Sequence, residues 1–248
     1  MDIMNMFFTG DGVRLRYNQT GPRNGQQLLF VTGWRQAAVE WRKQVECFSS
    51  VGFRVTTFDM RCHGESDEPG FGYRVSRFAA DLNDVLTQLD ARDVTVIGHS
   101  MAVTWAWWDQ YPDARKRVAI LVLVDQTADI FRDSSWTDAQ AALISAIFTP
   151  TQSMTCMFTS SVSESNFEWV LSQNKKTSVV NAAALLLDHS FSGEVSVFPH
   201  AGIEWIATQI PGARNYTFTA AEKGSHFVFW ENPERFNYVL LDFLKARR

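Results

Sequence analysis

Four short, mainly apolar runs, Leu28 to Val31, Phe53 to Phe58, Val94 to Ile97 and Val118 to Val124, alternate with amphipathic stretches such as Ala37 to Ser50 and Ser76 to Leu89. A strand apolar on both faces must be covered on both sides, and parallel neighbours need long crossovers between them; the amphipathic stretches supply both. The alternation predicts an α/β fold with a doubly wound, mostly parallel sheet. Ahead of it, Val13, Leu15 and Tyr17 alternate and are followed by Thr20-Gly21-Pro22, which predicts an antiparallel strand closed by a turn. Near the end, Asn215 to Phe218 reads as a further strand. Pro233 to Lys245 reads as a helix with Phe236, Val239, Leu240, Phe243 and Leu244 on one face. Between Thr127 and about His189 the pattern turns to mixed helical segments with Ser/Thr-rich interruptions, predicting a helical cap over 127–190 inserted in a single domain of 1–248. A chain of 248 residues can keep one undivided core.

The composition removes several classes of function. Net charge is -4, and no Lys/Arg run marks a nucleic-acid or acidic-membrane surface, so a small-molecule substrate is expected rather than a polyanion. Cys47, Cys62 and Cys156 are odd in number and far apart, giving neither a disulfide framework nor a metal-ligand spacing. The start lacks a basic, apolar signal pattern, and no apolar run reaches the roughly 18 residues that span a bilayer. A cytoplasmic protein is expected; its oligomeric state is not legible.

Gly98-His99-Ser100-Met101-Ala102 follows the apolar run Val94 to Ile97 directly and precedes a helix-compatible stretch. A serine on so tight a strand-to-helix turn needs small residues two positions away on each side, which Gly98 and Ala102 provide. The turn lifts the hydroxyl above the sheet edge and aims helix N-terminal N–H groups at a developing oxyanion, Met101 supplying one. Ser100 is the nucleophile expected.

The other roles follow from chain order. His226, in Gly224-Ser225-His226-Phe227, lies between the last predicted strand and the last helix, where a loop can return an imidazole over the sheet. Asp125 ends the run Leu121 to Val124, placing its carboxylate at the C-terminal edge of a strand, where open α/β sheets gather their reactive groups. Glu194 is the alternative acid, and a helix N-cap is the structural alternative for Asp125. Thr32-Gly33-Trp34 follows the Leu28 to Val31 strand and fits the loop that donates a second oxyanion N–H, from Trp34. Of nine tryptophans, most are expected in the core.

Taken together, Thr32-Gly33-Trp34, the turn Asp59-Met60-Arg61-Cys62-His63-Gly64-Glu65-Ser66, the Gly98 to Met101 elbow and Gly224-Ser225-His226 resemble the α/β-hydrolase superfamily over nearly the whole chain. The sequence is most similar to its small cofactor-free esterases, lactonases and haloperoxidase-like enzymes. That resemblance implies a serine hydrolase cleaving an ester, lactone or thioester through an acyl-enzyme, with no cofactor and no metal. Thr32 and Cys62 stand where the family has histidine and glycine, and the stretch from Ser100 to Pro112 is shorter than the family pattern. Phe191-Ser192 runs straight into Gly193, so one late sheet strand is expected to be lacking. Two rival functions share the fold: a cofactor-free dioxygenase of a heteroaromatic substrate, which usually carries a histidine where this chain has Gln36, and a degenerate binding protein without catalysis.

Overall fold

The computed structural model describes residues 5–101, 103–125, 164–178, 208, 212–223 and 226–246. Within them the chain builds strands β1 (Asn5–Phe8), β2 (Arg14–Thr20) and β3 (Gln27–Val31), helix α1 (Arg42–Ser50), β4 (Arg54–Phe58), α2 (Val75–Gln88), β5 (Val94–His99), α3 (Val103–Gln110) and β6 (Val118–Val124). Helices α4 (Glu164–Asn174), α5 (Val228–Glu231) and α6 (Pro233–Lys245) complete the described elements. The six strands form one sheet in the order β1-β2-β4-β3-β5-β6, with the β1–β2 and β2–β4 pairs antiparallel and the β4–β3, β3–β5 and β5–β6 pairs parallel.

Both faces of the parallel strands are covered, as the apolar runs require. Along β3 the side chains alternate: Leu29 and Val31 join the core beneath α2 and α3 with Leu82, Val85, Val96 and Trp107. Leu28 and Phe30 point the other way, into a core of Trp41 from the 3-10 turn before α1, Phe48 of α1, Phe229 of α5 and Leu240 of α6. This two-residue period, buried twice over, is what separates a central parallel strand from a one-sided antiparallel one. At roughly 1.5–3 kcal/mol per fully buried aliphatic or aromatic side chain, these two cores fix the register of the strands and hence the level at which each ends.

One strand escaped the sequence reading, and one that it expected is not formed. Asn5–Phe8 is a strand, pairing with β2 so that Phe7 stacks on Tyr17 with ring centroids 3.9 Å apart; a short apolar patch carries too little periodicity to announce itself. Asn215 to Phe218, expected as a strand, has no strand pairing. Tyr216 and Phe218 instead lie on Arg235 and Phe236 of α6, since an extended segment becomes a strand only beside a partner edge. Most of the expected cap, 127–190, lies outside the described residues apart from α4 and the turn after it, as do Glu194 and the run around Gly193 where a strand was expected to be lacking. The stretch after Ser100 forms α3 and then a 3-10 turn over Pro112–Arg117 before β6.

Candidate active site

Three neighbouring parallel strands end at one edge of the sheet. The last register pairs are Val31 with Gly98 and His99 with Val124. The residues that follow are Gly33-Trp34 after β3, Ser100-Met101 after β5 and Asp125 after β6, so the pairing of the strands brings the predicted groups together.

Ser100 sits at φ 61 and Asp125 at φ 44, both in the left-handed region. For a residue with a Cβ this costs on the order of 1–2 kcal/mol, and it persists only where surrounding structure holds it. For Ser100 one restraint is its backbone N–H, which donates to the Val124 carbonyl at 3.1 Å. Another is the close approach of Gly33: a Cβ there would stand 2.6 Å from Ser100 Cβ and 2.7 Å from Gln36 Oε1. Only glycine leaves room for the loop after β3 to lie against the serine turn. Ser100 is half-buried, and Met101 beside it is buried.

His226 arrives on the loop before α5. Its Nδ1 lies 2.5 Å from Asp125 Oδ2, and the ring is buried while the carboxylate keeps partial access to solvent. A carboxylate on Nδ1 holds the tautomer in which Nε2 can accept a proton, and Asp125 already borders the Val124 carbonyl that Ser100 engages. Ser100, His226 and Asp125 are thus gathered at one sheet edge, with Trp34 and Met101 on the loops flanking it. Glu194, the other acid considered, lies outside the described residues.

Around this edge runs a polar shell that the sequence reading did not assign. His99 is fully buried, with Nε2 2.7 Å from the His226 carbonyl and Nδ1 2.8 Å from Gln36 Oε1. Burial first, then the neighbouring His226 charge, holds its imidazole well below the ordinary histidine range. His63 accepts the Arg35 backbone N–H at Nε2 and lies 2.8 Å from the Arg61 carbonyl at Nδ1; burial pushes it down to about 4. Arg35, at φ 59 in the loop after β3, extends its guanidinium to the carbonyls of Asn174 and Thr177 at the C-terminal end of α4. Asn174 in turn donates to Glu40, a carboxyl that burial drives well above its usual range. Gln36 stood out in the sequence only as the absence of a histidine. Its signal was its spacing, three residues beyond the glycine whose N–H it receives at 2.5 Å.

Among the described residues no group of three or more His, Cys, Asp or Glu side chains is arranged to hold a metal ion, and no helix is long and apolar enough to cross a membrane.

Comparison with known proteins bears on the same region. A family model of the α/β hydrolase fold matches residues 27–151, half of the chain. The chain is 39% identical over 97 residues to a non-heme chloroperoxidase of Streptomyces lividans, covering 39% of this chain and 35% of that protein. It is 33% identical, over the same shares of both chains, to a bifunctional esterase/perhydrolase of Acinetobacter calcoaceticus. The aligned stretch spans about a third of the length of these curated relatives. Among solved structures, an esterase from Exiguobacterium antarcticum superposes with a TM-score of 0.84 at 18% identity, covering 98% of this chain and 100% of that one.

Proposed function

The chain belongs to the α/β-hydrolase fold family, and on that premise we propose that it is a serine hydrolase cleaving an ester, lactone or thioester of a small molecule. The observation that carries the reading is the contact of His226 with Asp125 at the sheet edge where Ser100 is held at positive φ. In this reaction His226 Nε2 takes the Ser100 proton as Oγ attacks the acyl carbonyl, and Asp125 holds the imidazolium through Nδ1–H. The oxyanion forms against the backbone N–H groups of Trp34 and Met101, each such donor lowering the barrier by roughly 3 kcal/mol. The protonated histidine then returns its proton to the departing alkoxide or thiolate, and water, deprotonated by the same imidazole, releases the acid from Ser100. The esterase/perhydrolase relative supports this assignment, and the Gln36 oxygen facing His99, in place of a second imidazole, weighs against the dioxygenase alternative.

A fluorophosphonate probe tests it on the full chain. Labelling that is lost in Ser100→Ala, together with turnover of p-nitrophenyl esters, is the expected result. Absence of both from a folded sample overturns it, and oxygen uptake with a hydroxyquinolone in their place would reassign the chemistry to dioxygenation.

A further inference from the structure

We propose that His63 is a positioning residue for Trp34: from the turn after β4 it fixes the loop after β3 in the backbone form that presents the Trp34 N–H to the oxyanion. The kinetic consequence rests on the hydrolytic reading, whereas the contact itself stands on geometry.

The donors and acceptors around the ring match a neutral imidazole with a single proton. The Arg61 carbonyl can only accept, so Nδ1, 2.8 Å away, carries the proton and donates it. Nε2 is then bare and accepts the Arg35 backbone N–H at 2.9 Å. Burial pushes the ring's pKa down to about 4, so this lone pair persists across the neutral range. Phe78 of α2 meets the fully buried imidazole edge-on at 6.0 Å and keeps it in place.

What that lone pair holds is a strained turn. The Gln36 N–H donates to the Gly33 carbonyl at 3.2 Å, and of the two central residues Arg35 has φ 59 while Trp34 is not at positive φ. This is the sign pattern of a type II turn, whose third position favours glycine. For an L residue there the type I form, with the peptide between Trp34 and Arg35 turned over, is lower in energy. Turning it over would carry the Arg35 N–H away from Nε2, so His63 selects the form observed. It also completes the hold on Trp34: the peptide before its Cα is fixed through the Gly33 carbonyl, and the peptide after it through the Arg35 N–H. An N–H aimed at developing charge has its full effect only when it cannot swing.

Two substitutions in the full chain separate the two ring nitrogens. In His63→Asn the amide nitrogen reaches the Nδ1 position and can still donate to the Arg61 carbonyl, but no acceptor remains for the Arg35 N–H. In His63→Gln the amide oxygen reaches the Nε2 position and keeps that acceptor. His63→Asn is expected to lower kcat about tenfold with KM within about twofold, and to weaken by the same factor the binding of phenylboronic acid, whose serine adduct is tetrahedral and anionic. His63→Gln is expected to recover most of both losses. In wild type, nitrogen-15 histidine NMR should show His63 protonated at Nδ1 alone across roughly pH 5–8, and Arg35 amide exchange should quicken in the Asn variant only. Equal kcat in the Asn and Gln variants, or a His63 proton at Nε2, overturns the proposal. If His63→Asn does not fold, a His63→Gln kcat near that of wild type together with the Nδ1 proton supports it, and a loss of about tenfold in that variant overturns it. If the wild type neither turns over esters nor labels at Ser100, the hydrolytic reading falls, and the spectrum and the Arg35 exchange still decide whether His63 holds the turn.

Discussion

His226 Nδ1 lies 2.5 Å from Asp125 Oδ2 although 101 residues separate the two in sequence. The carboxylate therefore enters from the end of β6, the strand next to the one that leads into Ser100. Asparagine at 125 keeps the shape but can present an N–H toward Nδ1, which selects the tautomer with its proton on Nε2 and leaves the base unable to accept one. We expect Asp125→Asn to lower kcat by on the order of 10³–10⁴, with fluorophosphonate labelling slowed in parallel. Steady-state ester kinetics check this beside Glu194→Gln, which should lose far less; the reverse ranking would move the acid role to Glu194.

The Arg35 contacts give the loop after β3 a second neighbour, the C-terminal end of α4. Nε and Nη2 reach the Asn174 and Thr177 carbonyls at 3.2 and 3.3 Å, where a cation also meets the negative end of the helix. Arg35→Met removes both, at roughly 1.5–3 kcal/mol for hydrogen bonds from a charged group. Faster amide exchange across 170–178 is expected, while Ser100 and His226 keep their supports. Unchanged exchange in that helix would show that Arg35 does not hold it.

His63 makes stability depend on pH in a predictable direction. Burial lowers its imidazole from 6.5 to about 4 in the folded chain. Between those values the unfolded chain binds a proton that the folded one refuses, so stability declines as pH falls through that window and levels off below about 4. The shift corresponds to roughly 3 kcal/mol at most. The buried carboxyls Glu40 and Asp59, whose ionisation burial drives upward, work in the opposite sense, losing stability as pH rises. Comparison with His63→Gln isolates the histidine: urea unfolding at several pH values should give a shallower decline for the variant, and equal slopes would remove His63 from the account.

Most of the sheet could be read in advance because each central strand is a short apolar run, and the chain order serine, acid, histidine pointed to one edge before any geometry was known. Strand β1 was illegible, since four residues with one buried aromatic carry almost no periodicity. Asn215 to Phe218 misled in the other direction: local propensity speaks for an extended backbone but not for the partner that makes it a strand. At the site, groups that act through their own chemistry were visible as residue types. Gln36, His99 and Arg35 were not, because their roles depend on which carbonyls and N–H groups the fold brings to them.

The serine turn itself offers a test that separates strain from chemistry. Ser100 holds φ 61, a conformation that penalises any Cβ, and Ala at this position keeps the penalty while removing the hydroxyl. Glycine removes both. Against the backbone entropy glycine loses on folding, roughly 0.5–1 kcal/mol, the relieved strain of about 1–2 kcal/mol leaves Ser100→Gly more stable than Ser100→Ala by about 0.5–1 kcal/mol. Both variants should be devoid of ester turnover and of probe labelling, so urea midpoints report the backbone alone. A Ser100→Gly protein no more stable than Ser100→Ala would mean that the turn stores no strain, and the positive φ of Ser100 could then no longer be counted among the features that single it out as the nucleophile.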